Sequence, residues 1–363
     1  MIYIEKETKT VLPEKFHIAH NFCVQIHDMI SEIHTKDSFK ELFKFELSFK
    51  DENLEQTPEL TSGDINILDW LVENNRLDLL ENILSKRLLI SITGDLLSFL
   101  YEGLSCSLRG KTHIAYANFR KPLKDNLTLL EMILVDPSAF TRDYFIDGNP
   151  KNYDPSKRSV DYKEALIEKV LFKLGNKALL NKEIIHGLRF DKTNSNSFDP
   201  LSNLALHIVT TDKNYRTEDK NLNFIFSSKE NIEKQWEHIY FFLPFLMVYT
   251  LLVVDEILFS LVEGDEKIKK YRETKAMLKL LYWMNEHEKF TGLDEKISEI
   301  GKKAKCENCG AELDLGAHEL KLYFETDLLP CLTCFGSAIQ FPEGYEPQFM
   351  NIEVKEEDFR IDE

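Results

Sequence analysis

Residues 239–254 read Ile-Tyr-Phe-Phe-Leu-Pro-Phe-Leu-Met-Val-Tyr-Thr-Leu-Leu-Val-Val, and Asp255 and Glu256 follow directly. This run of 16 residues is the most apolar in the chain. It falls short of the roughly 20 residues that a membrane span needs, Pro244 interrupts it, and two carboxylates close it. The reading is a buried core helix, so no membrane is expected as a partner. Working outward, apolar residues recur at three- and four-residue spacing, as in Ile67, Leu68, Leu71, Leu77 and Leu80 after the helix-entry signal Thr61-Ser62-Gly63-Asp64. Helices are expected over 64–73, 76–86, 88–121, 123–134, 160–174, 178–186, 200–211, 229–263, 266–286 and 293–304. Only 14 Gly and 11 Pro in 363 residues agree with long helices. The fold class is mainly α, a helical bundle.

Two flanking regions depart from this pattern. Near the N-terminus, Ile2 to Val11 and Lys44 to Lys50 alternate with period two and predict strands, with a helix from His17 to His34 between them. A small mixed α/β region over 1–60 is therefore expected, then a bundle over 61–300, a cysteine module over 301–345 and an acidic tail over 346–363. The longest loops are expected at Asp136 to Ser159 and Asp191 to Pro200, which concentrate Pro, Gly, Asn and Ser. There is no internal repeat and no glycine-rich phosphate loop.

The C-terminal module carries the most specific chemistry. Cys306, Cys309, Cys331 and Cys334 form two Cys-x-x-Cys pairs separated by 21 residues, one more than the usual range for a zinc-binding set. Each pair places two sulfurs on one turn of backbone, and two such knuckles complete the tetrahedral thiolate cage of a structural Zn2+. A disulfide or a redox motif is the alternative. Gly310 and Gly336 are the expected permissive backbone positions. The segment resembles a zinc ribbon, which names a module and no activity.

Charge narrows the partners. The chain carries a net charge of −17, and from 301 to 345 four Lys stand against seven acidic residues. A zinc held by four thiolates adds −2. Phosphate backbones need surplus Lys and Arg, so nucleic acid is disfavoured and a protein partner or homo-oligomer is expected at the ribbon. The two remaining cysteines, Cys23 and Cys106, lie in apolar helical patterns, and no basic-then-apolar leader opens the sequence. A reducing cytoplasm is the expected location.

Candidate functional residues outside the ribbon are polar groups within apolar helices. At 100 degrees per residue, Arg109, His113, Tyr116 and Arg120 fall on one stripe about 60 degrees wide, and Lys124 extends it beyond Pro122. Two guanidiniums and an imidazole suit a phosphate or carboxylate, whereas the alternative is a solvated or salt-bridged face. Asn203 and His207 lie four residues apart, with His186 and Arg189 just upstream, and convergence with the stripe would make a cleft between helices. His207 among apolar neighbours also fits an ordinary core histidine. His20, Cys23, His27 and His34 share one side of the first helix, where they either bind a transition metal or form a boundary face.

A helical bundle with paired Arg and His resembles the HEPN class of bacterial ribonucleases and defence proteins. In that family the Arg and His are separated by four to six residues, whereas Arg109-Gly-Lys-Thr-His113 has three. The resemblance implies metal-independent RNA cleavage with Arg109 and His113 at the motif positions, and His207 is the further candidate catalytic group beside them. The leading expectation is an interaction or regulatory protein in bacterial anti-phage defence, with Arg109, Tyr116, Arg120 and Asn203 binding an anionic ligand and the zinc ribbon docking protein. The HEPN-like ribonuclease is the rival.

Overall fold

The computed structural model describes residues 2–5, 8–44, 66–175, 179–214, 216–224, 228–262, 266–291, 293, 297, 304–313 and 315–347. The protein is mainly helical. Among the described residues it forms no strand, only two isolated antiparallel bridges, Lys305 with Glu312 and Pro330 with Ser337. By their contacts the residues divide into two units, Cys23–Glu263 and the pairing of Met1–Phe22 with Gly264–Glu363. Helix α1 (His17–Thr35) contributes to both.

The larger unit continues through α2 (Ile67–Glu73), α3 (Leu77–Leu108), α4 (Thr112–Arg120), α5 (Leu127–Val135), α6 (Pro137–Thr141), α7 (Pro150–Tyr153), α8 (Val160–Leu174), α9 (Lys182–Phe190), α10 (Phe198–Leu206) and α11 (Lys229–Leu261). Polar side chains accept the unsatisfied N–H groups at several starts: Ser159 caps α8, Asn181 caps α9, Ser197 caps α10 and Ser228 caps α11. The helix expected over 88–121 breaks at Arg109. There Gly110 takes a left-handed φ of 74°, its N–H donates to the Ser107 carbonyl at 3.0 Å, and Lys111 N–H reaches back to Cys106 at 2.9 Å. This is a Schellman stop, and it separates α3 from α4.

Pro122 does not end the next helix. Residues Lys121–Asn126 widen into a π-turn that absorbs the missing N–H and carries the chain into α5. The expected loop at 136–159 is largely α6, α7 and short helical turns.

Helix α11 lies at the core of this unit, packed on α3, α4, α5 and α8. It extends well beyond the 239–254 run, so the length argument against a membrane span does not hold for the whole helix. It is long and apolar enough to cross a membrane by length and composition alone, and 78% of its most apolar 18-residue window is buried in the protein. Helices α3 and α4 approach closely where Gly103 faces the Phe119 ring.

In the smaller unit, the expected strand at Ile2 to Val11 is absent among the described residues. Ile2 and Ile4 are buried as the alternation requires, but side chains rather than a neighbouring strand satisfy the backbone. Asn21 accepts from Ile4 N–H and donates to its carbonyl, both at 2.9 Å, and His20 Nε2 donates to the Ile2 carbonyl at 2.8 Å. The second expected strand, at 44–50, lies outside the described residues apart from Lys44, as do nearly all of 293–303 and the tail from 348.

Helices α12 (Glu266–Glu286) and α13 (Ala317–Thr326) form the scaffold of this unit. Asp327, left-handed at the end of α13, accepts from Lys275 of α12 at 2.6 Å and forms an ion pair with Lys279 at 2.6 Å, Lys279 donates to the Phe324 carbonyl at 3.0 Å, and all three charged groups are buried. Burial pushes Lys279 down to about 8 against the raising effect of Asp327. This ion cluster fixes α13 against α12, and the two cysteine pairs flank α13.

Candidate metal centre

The two Cys-x-x-Cys segments fold into knuckles with the same hydrogen bonds. In the first, Cys306 N–H donates to Ala311 and Gly310 N–H returns to Cys306, both at 2.8 Å. In the second, Cys331 N–H donates to Gly336 at 2.9 Å and Phe335 N–H returns to Cys331 at 2.8 Å. A residue with positive φ closes each turn. In the first it is Gly310, as expected from the sequence. In the second it is Phe335 at φ 57°, not Gly336.

The four sulfurs converge. All ligand atoms of Cys306, Cys309, Cys331 and Cys334 lie within 4.8 Å of one another. Cys306 Sγ is 3.8 Å from Cys334 Sγ, and Cys309 Sγ is 3.7 Å from Cys331 Sγ. A tetrahedron with zinc–sulfur bonds of about 2.3 Å has an edge of about 3.8 Å. The observed separations therefore match a zinc cage and are far from the roughly 2 Å of a disulfide. Cys306 and Cys331 are buried while Cys309 is exposed, so the cage sits at the surface with one side anchored in the unit.

The electrostatics point the same way. N–H groups of Cys334 and Thr333 stabilise the Cys331 thiolate and bring that thiol down to about 6. The Ala311 N–H favours the Cys309 thiolate, but desolvation and the other three sulfurs outweigh it and push that thiol up to about 12. The Cys331 thiolate is thus favoured and the Cys309 thiolate opposed. A divalent cation removes that opposition, so the four-thiolate state belongs with a bound metal. Asn308 Nδ2 approaches Cys334 Sγ at 3.5 Å, a second-sphere donor that the spacing rule did not identify.

Between the knuckles, the 21-residue gap holds α13 in place of the strands a ribbon would carry. The four-cysteine centre is present, and among the described residues ribbon-like pairing is limited to the two bridges.

Of the residues expected to line a helical cleft, His113, Tyr116 and Arg120 lie on α4, which packs against α10 carrying Asn203, and Ser202 Oγ of α10 donates to the Tyr116 carbonyl at 3.0 Å. Arg109 is exposed beyond the end of α3, and its Nε donates to the Ser105 carbonyl at 3.1 Å, which satisfies a terminal carbonyl of its own helix. His113 is half-buried on α4, with its pKa lowered by desolvation and by Lys111. Tyr116 is fully buried and donates to His238 Nδ1 at 2.8 Å, while His238 Nε2 meets the Asn196 carbonyl at 2.9 Å. Burial holds His238 down to about 4, so it is a neutral packing group. Arg120 stands 3.8 Å from Asp125, both half-buried, and burial raises the Asp125 pKa against the Arg120 charge. Asn203 is buried and donates to the Asp199 carbonyl at 2.8 Å, and Asp199 also pairs with Lys124. His207 is exposed just past α10, and its carbonyl accepts from Asn223 at 2.9 Å.

The strongest polar constellation of this unit centres instead on Arg189. It donates to the Leu123 carbonyl at 2.7 Å, to Glu131 at 2.5 Å and to Thr128 Oγ1 at 3.0 Å, and Tyr249 OH adds a bond to Glu131 at 2.6 Å. Glu131 as a lone charge in Leu-Leu-Glu-Met-Ile-Leu was the sequence signal for it.

The N-terminal His and Cys residues have separate partners. His20 bonds Ile2, His27 bonds Asp28 and Leu97, and His34 bonds Thr93. Burial raises the Cys23 thiol far above its usual range. Among the described residues, the four C-terminal cysteines are the one group placed to hold a metal.

Compared with family models, with curated proteins and with solved structures, the chain matches none.

Proposed function

We propose that this protein is an interaction or regulatory module in which a Zn2+ held by Cys306, Cys309, Cys331 and Cys334 organises a ribbon-type docking surface. The observation that carries this reading is the sulfur geometry, with separations of 3.7 and 3.8 Å that suit a closed tetrahedral site. Four protein ligands leave no open position for substrate or water, so the metal's work is structural. The chain's net charge of −17 supports protein over nucleic acid as the partner.

The same proposal keeps a small anionic ligand on the helical unit, with Arg120 as its best anchor. That guanidinium is half-exposed and only loosely held by Asp125. A reducing cytoplasm suits the unpaired Cys23 and Cys106. The setting in bacterial defence and the ribonuclease alternative rest on the HEPN resemblance. Cleavage would require Arg109, His113 and His207 around one linkage, yet Arg109 and His207 follow the ends of different helices.

Crosslinking with mass spectrometry in cells tests docking. Crosslinks from 304–347 to a partner protein should vanish in the double variant Cys309→Ser, Cys334→Ser while the helical unit stays folded. Unchanged crosslinks in that variant would end the reading.

A further inference from the structure

The two knuckles share one backbone plan and differ in what they present. At the second position of the first knuckle, Glu307 accepts from Lys270 at 2.9 Å and from Gln340 N–H at 2.9 Å, so that side chain is fastened to its own unit. The matching position of the second knuckle is Leu332, 66% exposed. At the fifth position the first knuckle has Gly310, for which a φ of 75° is unstrained. The second has Phe335 at φ 57°, a backbone region that disfavours any side chain with a Cβ and a bulky one most. Its ring is 80% exposed. Glycine would close this turn with less strain, and the exposed ring returns little packing to the fold. An observed backbone outlier of this kind points to a use outside folding.

We propose that the second knuckle is a docking tip, in which Leu332 and Phe335 pack against apolar side chains of a partner protein segment flanked by lysine and arginine. The proposal rests on the docking reading above and names its surface and partner chemistry. Charge selects the occupant. Residues 301–345 carry four Lys against seven acidic residues, and a zinc with four thiolates adds −2. A second copy of the module would bring like charge against like, and an anionic membrane or a nucleic acid would be repelled in the same way. Basic flanks complement the module, and the two apolar side chains supply the anchor that such interfaces need at their centre.

The test uses the full-length, zinc-loaded protein as bait for a phage-displayed library of random peptides. The expected selection is for peptides that combine aromatic or aliphatic residues with Lys and Arg. Phe335→Gly should weaken the selected peptides by at least about tenfold, and Leu332→Ser by a smaller factor. Phe335→Gly should also keep one zinc per chain and hold or raise the melting temperature, because it relieves the backbone.

Failure to select peptides, selection of acidic ones, or equal binding by Phe335→Gly would overturn the proposal. A lower melting temperature in Phe335→Gly would do so too, by making the ring structural. Light scattering that shows a dimer abolished by Phe335→Gly would assign the tip to a second copy instead, and binding to phosphatidylserine vesicles would assign it to a membrane. If the cysteine double variant loses its partner crosslinks but Phe335→Gly keeps them, the ribbon docks by another face. Only the present inference falls in that case.

Discussion

Replacing Arg189 with alanine tests whether the larger unit is organised around a buried ion pair. The side chains of Arg189 and Glu131 are 0% and 1% exposed. Arg189→Ala removes bonds to Leu123, Thr128 and Glu131, leaving the Glu131 carboxylate with the Tyr249 hydroxyl at 2.6 Å as its remaining donor. Stranding one member of a buried pair costs about 3–5 kcal/mol. At roughly 2–4 °C per kcal/mol for a unit of this size, the melting temperature should fall by about 6–20 °C. Circular dichroism melts give the shift. The double variant Arg189→Met, Glu131→Leu should recover most of the loss, because the penalty lies in the unpaired charge and not in a missing attraction. Arg120→Ala is the contrast: its half-exposed pairing with Asp125 at 3.8 Å predicts a change below about 1 kcal/mol. A drop of less than about 1 kcal/mol for Arg189→Ala, or a double variant no better than the single, would refute the reasoning.

Three further outcomes are expected. A Cβ added at Gly103 would stand 2.6 Å from Phe119 Cδ1 with the ring fully buried, so Gly103→Ala should destabilise the larger unit by about 1–3 kcal/mol, read by urea unfolding. His20 is held down to about 4 from 6.5, so below pH 6.5 the unfolded state takes up a proton that the folded state refuses. Stability should therefore fall between pH 6.5 and about 4 by up to about 3 kcal/mol, and His20→Gln should flatten that dependence in melts across the range. Cys309→Ser should release the metal and leave the helical circular dichroism of the larger unit in place, whereas a global loss of helix would contradict the independence of that unit.

The sequence carried the helical class and the metal ligands because both depend on short-range spacing. Cys-x-x-Cys pairs fix ligands within single turns, and the apolar run around Leu246 marks a core helix whatever it packs against. Breaks were harder to see. Gly110 looked like an interior residue of a helix from 88 to 121, yet it closes a Schellman stop, and that rotates Arg109 out of register with His113 and Arg120. Pro122 separates the expected helices 88–121 and 123–134, but a π-turn carries one into the other. At Ile2 and Ile4 the alternation was real and the strand was not, because the side chains of His20 and Asn21 satisfy the backbone in place of a second strand. The Arg189 and Glu131 pair joins residues 58 apart, a distance no local pattern encodes.

The central claim is a closed four-thiolate zinc. Elemental analysis combined with X-ray absorption at the zinc edge, on protein purified without chelator, tests it most directly. One zinc per chain with four sulfur neighbours at about 2.3 Å is the predicted result. Protein without zinc, or a shell containing water or nitrogen in place of a cysteine sulfur, would contradict it.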